Sequence, residues 1–270
     1  MSVRTDQNSA FGENFGLQTY PKVGVSYVLS EYSFWPTGWW DTFKLRGAIG
    51  DAGKAPGAFD KVRTYEPVSG GDPVTGDENE PGFSPANIGN AELGPERTRE
   101  IELGFDAGFF RGRLGFEATA FRARTTDALI PVVYPASQGF LSARIENVGT
   151  LENKGLELSL TGSLLQTKLI EWRARVHATY LRSKAIDMDQ GRDNVDNEVY
   201  TGLNSWIREG QAFPVYIGRR VTNPNESANP IIEDDAILGN VNPSRLLSLG
   251  STVNVGKSLT LDALVEFFGA

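Results

Sequence analysis

The chain contains no cysteine and a single histidine. The first absence argues against a disulfide scaffold and a thiolate metal site, and it is compatible with any compartment. The second leaves His177 without another histidine, serine or cysteine at usable spacing for a zinc site or a nucleophile–base pair. No stretch approaches the roughly 18 consecutive apolar residues of a transmembrane helix, which leaves membrane crossing by strands open. A basic excess is also missing. The 26 Lys and Arg face 34 Asp and Glu, a net −8, which disfavours nucleic acid as a partner because phosphate binding needs a basic face. No Gly-rich phosphate-binding motif occurs either.

What the 270 residues do hold is strict alternation. Ile101, Leu103, Phe105, Ala107 and Phe109 point one way; Glu100, Glu102, Gly104, Asp106 and Gly108 point the other. The pattern resumes with Leu114, Phe116, Ala118 and Ala120 against Arg113, Gly115, Glu117 and Thr119. Ile170 to Tyr180 repeats it most cleanly. Period two over more than about ten residues marks a strand with one apolar and one hydrated face, roughly twice the usual soluble length. Strands of about 9–11 residues are what a tilted strand needs to cross a bilayer. The alternation predicts strands at 22–30, 42–50, 96–109, 113–125, 155–165, 169–182, 244–255 and 258–268, with the tail of another at 1–4.

Connection lengths carry a second signal. After Trp40, long polar links alternate with turns of two or three residues, such as Phe110-Arg111-Gly112 and Gly256-Lys257. An up-and-down antiparallel sheet with short tips on one side and long tips on the other is the anatomy of an outer-membrane barrel. The long links, rich in turn residues, are expected to be structureless loops of an external vestibule. The competing reading is a soluble secreted β-rich domain that binds carbohydrate or hydrolyses glycosides; a structural barrel without transport is a third.

Each candidate site is weighed against a bland reading. Tyr134, Phe140, Tyr200, Trp206, Phe213 and Tyr216 fall in the expected external loops and are the candidates for ligand contact, with loop packing as the commoner role for such rings. Trp35, Trp39 and Trp40 flank a turn on the short-tip side and suit an interfacial aromatic girdle better than a sugar platform. Asp187, Asp189 and Asp193 alternate as in a calcium loop, but Gly191 stands where such a loop wants an acid or amide, and solvated loop charge is preferred. Glu233, Asp234 and Asp235 are read as an acidic external loop. His177 and the strand carboxylates Glu100, Glu102, Glu117 and Glu157 are read as lining a wet barrel interior rather than forming a glycosidase pair. No catalytic, cofactor or metal site is assigned, and no enzyme is expected.

Several segments resemble the carboxy-terminal third of SusC/RagA-type TonB-linked outer-membrane receptors. They are Arg4 to Gly12, Leu45 to Gly50, Gly89 to Leu114 with Thr125 to Ile130, Asn147 to Glu157, and Gly239 to Pro243, in family order. The resemblance implies a 22-strand barrel plugged by an amino-terminal domain in the cell outer membrane. It also implies import of oligosaccharides or peptides, with a SusD-like surface lipoprotein as lid and a TonB complex supplying energy. Residues 1–270 are then expected to be a partial barrel domain of about nine strands, in contact with outer-membrane lipid. No plug, no final strands and no signal peptide are recognisable in this chain. Alone, the piece is expected to form an open half-barrel that does not transport.

Overall fold

The computed structural model describes residues 1–36, 38–70, 80–134, 137, 139–140, 142–188, 198–225 and 229–269. Its first strands are β1 (Ser2–Asp6), β2 (Gln18–Val28), β3 (Trp40–Lys54), β4 (Thr64–Gly70) and β5 (Glu80–Asn87). Then come β6 (Glu96–Phe109), β7 (Leu114–Thr126), β8 (Leu129–Val132), β9 (Arg144–Asn147), β10 (Thr150–Gln166) and β11 (Ile170–Asp187). The last are β12 (Glu198–Gly202), β13 (Ser205–Arg208), β14 (Val215–Val221), β15 (Ile232–Asn240), β16 (Arg245–Val255) and β17 (Leu259–Gly269). A single 3-10 turn, Leu29–Glu31, is the only helical element among the described residues.

Nine strands form one antiparallel sheet in the order β1-β2-β3-β6-β7-β10-β11-β16-β17. The sheet is open, with β1 and β17 at its two edges. Every wall strand expected from the alternation is present, several extended beyond the expected range: β3 reaches Lys54 and β11 reaches Asp187. The connections after β3 alternate as expected, with 55–95, 127–149 and 188–244 long and 110–113, 167–169 and 256–258 short. The short turns are built from local chemistry. Phe110 and Arg111 both take positive φ (57° and 58°), and Gly112 follows at 76°. Thr167 Oγ1 accepts from the amides of Leu169 and Ile170, at 3.3 and 2.9 Å.

The expectation of structureless long loops is corrected. Between β3 and β6 lies the hairpin β4–β5, between β7 and β10 the hairpin β8–β9, and between β11 and β16 a four-stranded sheet β12-β13-β14-β15. The physical reason is that these segments have their own core. Ala128, Ile130, Val132, Val148, Ala185, Met188, Val199 and Ile207 form one buried cluster, drawn from two loops and the end of β11. A hairpin is marginal alone, but hairpins that share a buried cluster hold one another.

Candidate wall, lumen and external platform

Register turns the alternation into two continuous surfaces. One row across the sheet reads Leu45, Phe105, Ala118, Leu158, Ala178, Leu247, Phe267. The neighbouring row on the opposite face reads Lys44, Asp106, Glu117, Ser159, His177, Ser248, Glu266. His177 and Glu117 therefore sit on the polar face, as the sequence predicts, and so do Glu100, Glu102 and Glu157. The apolar face is uncovered: Leu103 is 65% exposed, Val25 66%, Leu261 56% and Phe267 54%. A contiguous apolar surface of this extent marks contact with a membrane or another molecule.

At the short-turn end the apolar face finishes in packed rings. Trp35 and Trp40 meet edge-on at 4.5 Å, Trp35 stacks on Phe43 at 5.6 Å, and Trp39 stacks on Phe109 at 5.7 Å. The Trp35 indole donates to the Trp40 carbonyl at 3.2 Å. The rings thus gather at one end of the apolar face, as an interfacial girdle would have them, with the Trp35 N–H satisfied and the buried Trp40 Nε1 without a partner among the described residues.

The polar face is charged along its height. Asp106 pairs with Lys44 at 2.7 Å and Arg46 at 2.8 Å, and Arg46 also donates to Thr119 Oγ1 at 2.9 Å. Toward the short turns, Arg113, Arg173 and Arg175 help line a recess of about 520 Å³. A large lumenal ring is accommodated by a missing side chain: a Cβ on Gly155 would stand 2.4 Å from the Phe121 ring.

The long-connection end is tied together by segments far apart in sequence. Asn147 Oδ1 accepts from the Gly94 amide at 2.7 Å, while its Nδ2 donates to the carbonyls of Gly94 and Asp127 at 3.0 and 2.9 Å. Asn90 Nδ2 donates to the Ile145 carbonyl at 3.3 Å, and the Gly12 amide donates to the Leu93 carbonyl at 2.8 Å. Three of the segments that carry the family resemblance thus form one knot. From the resemblance, Pro95 and the polar run before it read as the end of one long loop and Asn147 to Gly155 as re-entry into the next strand; that the two are tied together is not legible, because an asparagine between turn signals gives little hint of a partner some fifty residues away.

The six candidate ligand-contact aromatics do not form one patch. Tyr200 and Trp206 are brought together, as cross-strand partners on β12 and β13 with ring centroids 4.9 Å apart. Tyr216 on β14 is directly opposite Ser205 and 41% exposed. Tyr134 and Phe213 instead pack on the buried loop cluster, with the Tyr134 hydroxyl donating to Glu146. Phe140 is buried beside Tyr65, under the Arg63 guanidinium at 5.6 Å. The same external sheet carries Arg208, which pairs with Glu198 at 2.5 Å and Asp235 at 2.9 Å. Asp235, and after it Glu198, hold the Arg208 guanidinium pKa above its ordinary value. Glu233 and Asp234 pair with Arg220 and Arg219 at 2.7 Å each, which makes the acidic run an ion-paired strand. Asp187 closes β11; Asp189 and Asp193 lie outside the described residues, and among those described no group of three or more potential metal ligands converges.

Comparison with known proteins agrees with this architecture. The family model described as "TonB dependent receptor-like, beta-barrel" matches residues 1–242. TonB-dependent receptor P26 of Formosa agariphila is 26% identical over 271 residues, covering 95% of this chain and 27% of that receptor. TonB-dependent receptor SusC of Bacteroides thetaiotaomicron is 29% identical over 105 residues, 39% of this chain and 10% of SusC. Among solved structures, the RagAB peptide transporter superposes with a TM-score of 0.78 at 22% identity, covering 98% of this chain and 31% of that chain. The chain thus spans roughly a quarter to a third of the lengths of P26 and the RagAB chain.

Proposed function

The chain belongs to the TonB-dependent receptor-like β-barrel family, and from that premise we propose that it forms nine wall strands of an outer-membrane importer. The cargo class is a nutrient oligomer, an oligosaccharide or peptide, taken up with a surface lipoprotein over the external loops and with energy transmitted through TonB. The wall strands act as a scaffold and not as a catalyst. Their outer face meets lipid, their inner face meets a hydrated lumen, and the external platform stands over the lumen mouth.

The observation that carries this reading is the pair of unbroken rows. The apolar row lies bare on one side and the charged row on the other, while the largest buried cluster sits in the loops and not beneath the wall. A soluble sandwich would cover one face of this sheet with a second layer. Unpaired edges in hydrocarbon cost several kcal/mol per lost hydrogen bond, so β1 and β17 require neighbouring strands in a closed barrel. Extraction tests the reading: the chain is expected to leave membranes only with detergent, and a monodisperse monomer recovered in buffer alone would contradict it. For cargo, deleting the gene that encodes the whole receptor is expected to abolish growth on one oligosaccharide or peptide source while leaving growth on monomers intact. Unimpaired growth on every oligomer tried would refute the importer assignment.

A further inference from the structure

The outer face changes character abruptly toward the long-connection end. One row above Leu103 and Leu156, the partners across the sheet are Ile101, Arg122, Lys154 and Arg182; the next row is Asp51, Arg99, Arg124, Glu152 and Lys184. Arg97 stands above Arg99 on the same face, opposite Thr126. In a chain of net charge −8, this side is densely cationic. The acids on it are Asp51 and Glu152, with Asp187 one step higher opposite Thr150.

Two of these acids are buried and serve to position the cations. Asp51, its side chain 3% exposed, takes Arg97 at 2.9 Å and Arg99 at 2.7 Å. Glu152, 8% exposed, takes Arg122 at 2.5 Å and Lys154 at 2.6 Å. The cations themselves stay half open to the outside, Arg99 at 63% and Arg122 at 54%. Arg124 and Arg182 are exposed and make no ion pair among the described residues. Arg97, Arg99, Arg122, Arg124 and Thr126 line an open groove of about 440 Å³ together with the apolar Ile101.

Height fixes what could occupy it. From Phe109 in the aromatic girdle to Arg99 is ten residues of one strand, about 34 Å along it at ~3.4 Å per residue and, for a tilt of ~40°, roughly 26 Å across the membrane. That matches the ~25 Å apolar band of such walls, so the belt lies at the level of outer-leaflet headgroups. Guanidinium forks held by carboxylates, with free donors beside them and an apolar side leading into the band, suit a phosphate attached to acyl chains. The cations run over four strands, about 14 Å at ~4.8 Å per strand, wider than one phosphodiester.

Resting on the wall reading above, we propose that this belt binds the phosphorylated sugar headgroup of an outer-leaflet glycolipid, with Arg99, Arg122, Arg124 and Arg182 as its phosphate donors. The whole receptor that contains this chain, folded in zwitterionic detergent micelles, is titrated with bisphosphorylated lipid A, the same glycolipid stripped of phosphate, phosphatidylglycerol and inorganic phosphate. The first is expected to bind at least tenfold more tightly than the other three. R124Q/R182Q, which leaves both carboxylate-held pairs intact, is expected to lose tenfold or more. Equal binding of the dephosphorylated glycolipid, or no loss in the variant, overturns the site; equal binding of phosphatidylglycerol or of free phosphate overturns the glycolipid. Protease protection of the wall in phosphatidylcholine vesicles separates the two readings. In the whole receptor, protected strands indifferent to phosphate sink the belt alone, and unprotected strands sink the wall.

Discussion

Gly149 shows how much a single position can carry. Its φ of +76° is one that a side chain adopts only at a cost of about 1–2 kcal/mol, and a Cβ there would stand 2.5 Å from the Asp187 carbonyl oxygen. Gly149→Ala is therefore expected to cost roughly 2 kcal/mol or more and to expose the 127–149 connection to protease in folded, micelle-bound protein; wild-type resistance would contradict this. Asn147, two residues earlier, uses both ends of its amide. Asn147→Asp keeps the acceptor toward the Gly94 amide and removes the donors to the Gly94 and Asp127 carbonyls, whereas Asn147→Ala loses all three bonds. The Gly94 groups are buried, at about 1–3 kcal/mol for each left unpaired, and the aspartate carboxylate would face the two carbonyl oxygens, so both variants should loosen the same connection relative to wild type. Wild-type protease resistance in the aspartate variant would show that the amide does not act as a two-ended clasp.

Among the elements, the wall was legible and the platform was not. A strand such as β11, with Ile170, Trp172, Ala174, Val176, Ala178 and Tyr180 on one face, declares itself because apolar surroundings on one side and hydrated ones on the other enforce period two over its whole length. β12 and β13 are five and four residues long, too short to display a period, and their pairing depends on burying Val199 and Ile207 against Val148 and Ala185 from elsewhere in the chain. For the same reason, loop membership alone could not separate the aromatics that pack inward, Tyr134, Phe140 and Phe213, from Tyr200 and Trp206, which meet across a strand pair. Trp35, Trp39 and Trp40 do come together, as their placement around one short turn suggests, and pack with Phe43 and Phe109. Within the platform, Arg208 is the clamp: Arg208→Ala leaves Glu198 and Asp235 without their cation, and with Asp235 well exposed the expected loss is about 1–2 kcal/mol. Faster amide exchange confined to β12–β15 would register it, and unchanged exchange there would refute the clamp.

At the scale of the whole molecule, the distribution of apolar surface is the reverse of a soluble domain. The wall bares Leu, Val and Phe on one face, and the buried cluster belongs to the external loops. On the reading proposed above, the membrane supplies the missing layer. A charge placed at mid-wall on the lipid side, as in Leu158→Arg, is expected to destabilise the folded chain by about 2–4 kcal/mol, while Ser159→Arg on the next position is close to neutral. Comparable losses for both in denaturant titrations would remove the distinction between the faces. The absence of cysteine makes the most direct test clean, because each introduced thiol is unique. Single cysteines at consecutive positions of β10 and β11, from Leu156 to Leu160 and from Ala174 to Ala178, are labelled with an environment-sensitive fluorophore in lipid vesicles. Quenching by brominated lipid at 156, 158, 160, 174, 176 and 178, alternating with quenching by aqueous iodide at 157, 159, 175 and 177, is the predicted result. Iodide quenching at every position, or any period other than two, would contradict a lipid-facing wall.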